Sequence, residues 1–179
     1  MKYRVCKSFE VESGHLLHKH PGRCRYPHGH SRRIDIILAC ETLDANDMVC
    51  DFAAIKHAVG AFIDRFDHSM AVNSADPMLA SLRDCRPPET KSNPGTNSST
   101  TSPVPSLTPS LTDRLVIFDN QDPTTEVMAK AIFVYVAERI AAKQPIEAPG
   151  GRTYLFPPSV ILERVRVSET SSSWAEFGV

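Results

Sequence analysis

His15 and the run Cys24-Arg-Tyr-Pro-His28-Gly-His30 set three imidazoles of one candidate site and one thiol within sixteen residues of this chain. If these histidines serve one metal ion, any fold must carry position 15 to the same point as positions 28 and 30. A structural zinc site closes its tetrahedron with four protein ligands, usually paired cysteines at short spacing. No Cys-x-x-Cys occurs here. Three histidines leave a fourth position open to water or substrate, and an uncoordinated Cys24 nearby could act as a base.

His28 and His30 are two apart, so on a strand both rings project from one face. Strand character follows them, since Ile34, Ile36 and Leu38 alternate with Arg33, Asp35 and Ile37. His15 ends an earlier strand-like run from Tyr3 to Val11 and beyond. Two neighbouring strands would then bring His15, His28 and His30 to one ion. The competing reading is three surface histidines in a polar loop. His18-Lys-His20 repeats the spacing in a Lys/Pro/Gly context without a strand signal, so His18, His20 and also His57 are expected to be solvated.

These blocks resemble the 6-pyruvoyl-tetrahydropterin synthase and 6-carboxytetrahydropterin synthase family. Phe9-Glu-Val-Glu-Ser-Gly-His15 is similar to its first metal-ligand strand, and Cys24-x-x-x-His28-Gly-His30 to its nucleophile and remaining ligands. Met48-Val-Cys-Asp51-Phe52 resembles the entry to its first helix, and Phe66-Asp67-His68 with Asn73 its Asp-His block. Pro123-Thr-Thr-Glu126 resembles the opening of its second helix, and Val167-Ser-Glu169-Thr170 its pterin-anchoring segment. Each block alone is weakly specific; their order along the chain carries the resemblance.

Composition is compatible with this reading. A chain of 179 residues suggests one domain, 1–179, with a sizeable core. The net charge of −1 offers no basic footprint for nucleic acid. No apolar run reaches membrane-spanning length, and no signal-peptide core follows Lys2, Arg4 and Lys7. The five cysteines (Cys6, Cys24, Cys40, Cys50, Cys85) are odd in number and irregularly spaced, as in a cytoplasmic protein with reduced thiols.

After the first two strands, a turn at Leu43–Asp47 returns through Met48 and Val49. Asp51 can cap a helix whose apolar positions Phe52, Ile55, Val59, Phe62, Ile63 and Phe66 recur near the helical period. A second helix begins at Asp122-Pro123, with Pro at the first helical position, and runs to about Ile140 along Met128, Ala131, Ile132 and Tyr135. Strands return at Thr153–Phe156 and Val160–Ser168. This order predicts an α+β fold, an antiparallel sheet with helices on one face. The resemblance implies a tunnelling fold, whose trimers close a barrel and stack into a homo-hexamer. Between Asn73 and Pro123 the chain is longer than short family members. Residues 86–112, rich in Pro, Ser, Thr and Asn, are expected to be a low-complexity insertion, Leu115–Phe118 is a candidate extra strand, and the Asn97 sequon is read as accidental.

Zinc held by neutral His15, His28 and His30 would act as a Lewis acid on substrate oxygens. Three imidazoles also suit other divalent ions. Cys24 lies among Arg23, Arg25 and His28, a setting that favours thiolate, and His68 oriented by Asp67 could relay its proton. The plain alternatives are a buried small thiol and a helix-end pair. By resemblance Glu169 anchors the pterin, whose adjacent N–H donors suit a carboxylate, and joins the proton relay. Thr124, Thr125 and Glu126 resemble further pterin contacts, although an acid at Glu126 also suits a helix start. Glu163 is expected to be an ordinary exposed strand residue.

The implied substrate is 7,8-dihydroneopterin triphosphate. The short Cys24-to-His28 spacing resembles the carboxy-forming members, which yield 6-carboxytetrahydropterin, acetaldehyde and triphosphate on the way to queuosine. The pyruvoyl-forming reaction is the alternative, and a non-catalytic metal- or pterin-binding module is a third. Such a module would need neither Cys24 nor Asp67-His68.

Overall fold

The period-two pattern around the histidines produces two long strands. In the computed structural model, β1 (Tyr3–His15) pairs antiparallel with β2 (His28–Cys40) along its whole length. The structure describes residues 1–84 and 111–179. Most of the expected insertion at 86–112, with the Asn97 sequon and Cys85, therefore lies outside the described residues.

The remaining strands are β3 (Ser69–Asn73), β4 (Leu115–Phe118), the small hairpin β5 (Ile146–Ala148) and β6 (Arg152–Tyr154), β7 (Ile161–Ser168) and β8 (Trp174–Gly178). Six of them form one sheet in the order β4-β3-β1-β2-β7-β8. Pairing is antiparallel from β1 to β8, whereas β3 runs parallel to both β1 and β4. Leu115–Phe118 is thus the additional strand, and it makes a parallel margin that the antiparallel expectation lacked.

The helices are α1 (Phe52–Ile63), a short α2 (Met78–Asp84) and α3 (Thr125–Ala141). Asp51 caps α1 through its carboxylate, which accepts from Ala53 N at 2.7 Å. Ile34, Ile36 and Leu38 of β2, with Val165 and Val167 of β7, form a buried row under α1 and α3. Ala54, Ile55, Val59 and Ile63 from α1 meet Met128, Ala129, Ile132 and Val136 from α3 in this core. Phe62 stacks on Tyr135 with centroids 3.9 Å apart, but Phe52 at the head of the expected stripe is exposed. Adjacent residues on β3 separate two cores: Ala71 joins the main one, and Val72 packs with Leu16 and Leu79 beside α2.

Two sequence expectations change. Helix α3 begins at Thr125, because Thr124 is the cap and its hydroxyl accepts from Val127 N; Pro123 precedes the cap. Glu163 is not an exposed strand residue. The register slips between Ile37 and Leu38, so Glu163 is the residue of β7 left without a partner on β2. Its side chain is buried beneath Arg4, whose Nε donates to both carboxylate oxygens at 2.9 and 2.8 Å. Among the described residues no helix is long and apolar enough to cross a membrane.

Candidate metal centre

Cross-strand register builds the site. Ser13 faces His30, Gly14 faces Gly29 and His15 faces His28 at the joined ends of β1 and β2. The pairing places His15 directly beside His28, with His30 one step along the same face. Their ring centroids are 4.5 to 5.2 Å apart. β3 approaches Gly14 closely, since a Cβ there would lie 2.8 Å from the movable Met70 Cε and 3.3 Å from the Ser69 carbonyl.

Backbone carbonyls fix the tautomers. His15 Nδ1 lies 2.9 Å from the Pro123 carbonyl and His28 Nδ1 2.8 Å from the Tyr26 carbonyl. A carbonyl can only accept, so both Nδ1 atoms carry the proton and both Nε2 atoms present lone pairs. Those two Nε2 atoms are 3.0 Å apart. His30 Nε2 is buried without a hydrogen-bond partner. Lone pairs facing each other at this distance repel unless a cation lies between them. The donor set therefore fits a divalent metal, and the carbonyl contacts act as the outer support typical of ligating histidines.

Burial favours the neutral form of His15 and His30, the form that metal ligation requires. Desolvation pushes the His15 pKa down to about 4, with nearby Arg32 acting in the same direction. Burial, then Arg32, also lowers that of His30. Glu169, just past the end of β7, completes a group of four donors whose atoms all lie within 4.8 Å of one another. Its Oε1 is 3.4 Å from His15 Nε2 and 3.4 Å from His30 Nε2. A carboxylate thus stands beside the histidines where three ligands and an open position were expected.

The other candidate residues, Asp67 excepted, line two cavities. One, of about 380 Å³, is lined by Cys24, Thr124, Thr125, Glu126, Glu169 and Trp174, among others. The second, of about 470 Å³, is lined by His28, His30 and His68 with residues of β1 and β3. Cys24 and His68 thus line different cavities in the chain. Asp67 is fastened to β1, accepting from Glu12 N at 2.8 Å and pairing with His68 Nδ1 at 2.9 Å. These hydrogen bonds, Glu12's first, hold its carboxyl below the usual carboxylate range. His68 adopts a left-handed backbone (φ 49°) and exposes its ring.

Several polar residues have structural partners. Thr124 caps α3, Thr125 Oγ1 accepts from Arg32 at 3.1 Å, and buried Asn73 donates to Asp122 at 2.8 Å. Glu126 is exposed in the first turn of α3. His18, His20 and His57 stay outside the cluster of donors. Of these three only His20 is exposed; His18 is half-buried, and half-buried His57 stacks on Tyr154.

Sequence reasoning passed over Arg32. It is 2% exposed, its guanidinium meeting His15, Thr125 and Glu169. A signal existed, since Arg32 shares its strand face with His28, His30 and Ile34, and a buried arginine there demands an acidic partner.

The chain is 31% identical to the 6-carboxy-5,6,7,8-tetrahydropterin synthase of Aquifex aeolicus, over 47% of this chain and 61% of that protein. It is 34% identical to the enzyme of the same name from Rickettsia bellii, over 41% and 54% respectively. The matched part thus spans a little over half the length of these curated relatives. Among solved structures, a Wolinella succinogenes protein superposes with a TM-score of 0.67 at 21% identity, covering 99% of this chain and 98% of that one. The 6-pyruvoyl tetrahydropterin synthase of Plasmodium vivax gives 0.59 at 16% identity, covering 100% and 99%. The shared architecture is the α+β tunnelling fold. With the family profile matching residues 4–178, the chain belongs to the 6-pyruvoyl tetrahydropterin synthase family.

Proposed function

We propose that this protein is a zinc-dependent lyase acting on 7,8-dihydroneopterin triphosphate. Its products would be 6-carboxy-5,6,7,8-tetrahydropterin, acetaldehyde and triphosphate, on the route to queuosine and related deazapurines. The observation that carries the reading is the convergence of three imidazole lone pairs beside a cavity holding a thiol and a carboxylate. The carboxy product is favoured because the matched relatives carry that name. A pyruvoyl product from the same site is the alternative outcome.

Zinc held by His15, His28 and His30 supplies Lewis acidity toward an oxygen of the substrate side chain. The chain's own groups do the rest. Cys24, half-buried in the smaller cavity, removes a proton from the side-chain carbon next to that oxygen. Glu169 accepts hydrogen bonds from the pterin amino and ring N–H groups, while the start of α3 at Thr124, Thr125 and Glu126 and the indole of Trp174 border the ring. Asp67 orients His68, which receives and returns the proton.

Because Cys24 and His68 line different cavities, the relay closes when His68 comes from a second copy of the chain. The sheet offers the means. Among the described residues its end strands β4 and β8 pair on one side only, and each exposes apolar side chains: Ile117 on β4, and Trp174 and Phe177 on β8. A ring of copies joined at these edges, stacked as a hexamer, is the assembly we propose.

The test is triphosphate release from 7,8-dihydroneopterin triphosphate by zinc-loaded protein, metal-stripped protein and the His28→Ala variant. Release by the loaded wild type alone supports the lyase. No release by the loaded wild type, with pterin still bound, supports the non-catalytic module instead.

A further inference from the structure

We infer that Arg32 is a positioning residue that keeps the Glu169 carboxylate exchangeable, so that Glu169 caps the resting metal centre as a displaceable fourth ligand. The substrate that displaces it is the pterin of the proposed function, so the inference rests on that reading for the substrate alone.

The geometry points first to the cap. Zinc ligands at 2.0–2.1 Å in a tetrahedron stand about 3.3 Å from one another. The observed separations are 3.0 Å between His15 and His28 and 3.4 Å from Glu169 Oε1 to both His15 and His30. The carboxylate oxygen therefore stands at ligand spacing from two of the three histidines, and all four donor atoms lie within 4.8 Å of one another. Four protein donors make a closed centre, the pattern of a structural metal. A centre that must admit a substrate oxygen needs one of them to leave. Glu169 is suited to that, for it follows the last residue of β7 and its side chain is 32% exposed.

Arg32 provides the counterweight. Its NH2 group lies 3.7 Å from the same Glu169 oxygen, and its NH1 donates to Thr125 Oγ1 at 3.1 Å. NH2 is also 3.3 Å from both ring nitrogens of His15. An in-plane donor equidistant from both would collide with the carbon between them, so the guanidinium lies over the ring face. It leaves the His15 lone pair free and competes for the carboxylate alone. Arg32 Nε is buried without a partner, which makes Glu169 the principal compensation for this buried cation. A guanidinium packed against metal ligands opposes metal binding, and an apolar side chain would fill the space without that penalty. Its presence is explained if it weakens the cap enough for substrate to displace it.

The test uses Co²⁺ in place of zinc, with no pterin present. We expect Arg32→Met to retain Co²⁺ about tenfold longer against a chelator, and its visible spectrum to stop responding to added imidazole. A purely structural arginine predicts the reverse, faster metal loss. In the Glu169→Gln background the Arg32→Met effect should vanish. If it persists at full size, the arginine acts by direct charge repulsion and the inference fails. Arg32→Lys, which keeps a cation, should restore most of the imidazole response.

Should Arg32→Met fail to fold, Arg32→Gln carries the same test of the arginine, and Glu169→Gln tests the cap itself. Faster Co²⁺ extraction with an altered visible spectrum supports the cap, and an unchanged spectrum and extraction rate overturn it. None of these readouts requires turnover, so a failed cap and a failed lyase assignment are separable.

Discussion

His15 Nε2 lies 3.0 Å from His28 Nε2, and neither atom has a proton to share, because each ring donates its Nδ1 proton to a backbone carbonyl. Such a contact is stable with a cation between the nitrogens and repulsive without one. Metal removal should therefore destabilise the whole protein. At a thousandfold excess of zinc over its Kd, the bound ion adds about 4 kcal/mol. Stripping it should lower the thermal midpoint by on the order of 10 °C, recoverable with zinc. Calorimetry before and after chelation checks this, and the His28→Ala variant should show no such shift.

Cys24 is half-buried in the cavity of Glu169 and is not among the clustered metal donors. Cys24→Ala should keep a full complement of zinc by elemental analysis while turnover falls about 100-fold or more, the usual range for a lost general base. Full turnover would remove the thiol from the mechanism.

His68 and Cys24 line separate cavities of one chain. Each single variant, Cys24→Ala and His68→Ala, should be nearly inactive. Unfolding and refolding the two together should restore part of the activity, because some sites then receive an intact thiol and an intact imidazole. A mixture no more active than its parts would place the relay within one subunit.

The Arg4–Glu163 pair predicts a pH dependence. Hydrogen bonds and charge attraction from Arg4 hold the Glu163 carboxyl below its ordinary value of 4.5. A depressed folded-state pKa means that the stabilisation is fully present above about 4.5 and is lost as pH falls through the lower folded value. Glu163→Gln should lower the thermal midpoint by a few degrees at pH 7, with the difference from wild type shrinking as acid is added. Arg4 is half-exposed, so solvent screening keeps the effect modest.

The parts of this molecule that obey a simple period were readable in advance. His15, His28 and His30 converge because alternation on β1 and β2 and one hairpin-like register suffice to place them. Asp51 caps α1 as its side chain dictates. What escaped depends on departures from regularity or on partners distant in sequence. Glu163 sits at a bulge in β7 and is covered by Arg4, and no local pattern marks that slip or that distant partner. The parallel β3 and β4 are only five and four residues long, too short for a periodic signal. Arg32 was legible from its position on the buried face, but its contact with Glu169 joins residues 137 positions apart. The capping position of Glu169 beside the histidines required the end of β7 to be placed in three dimensions.

The most direct measurement is the mass of the product formed when zinc-loaded protein is incubated with 7,8-dihydroneopterin triphosphate. The account predicts 6-carboxy-5,6,7,8-tetrahydropterin with equimolar acetaldehyde. A 6-pyruvoyl product with no acetaldehyde would contradict the carboxy assignment, and recovery of unchanged substrate would contradict the lyase itself.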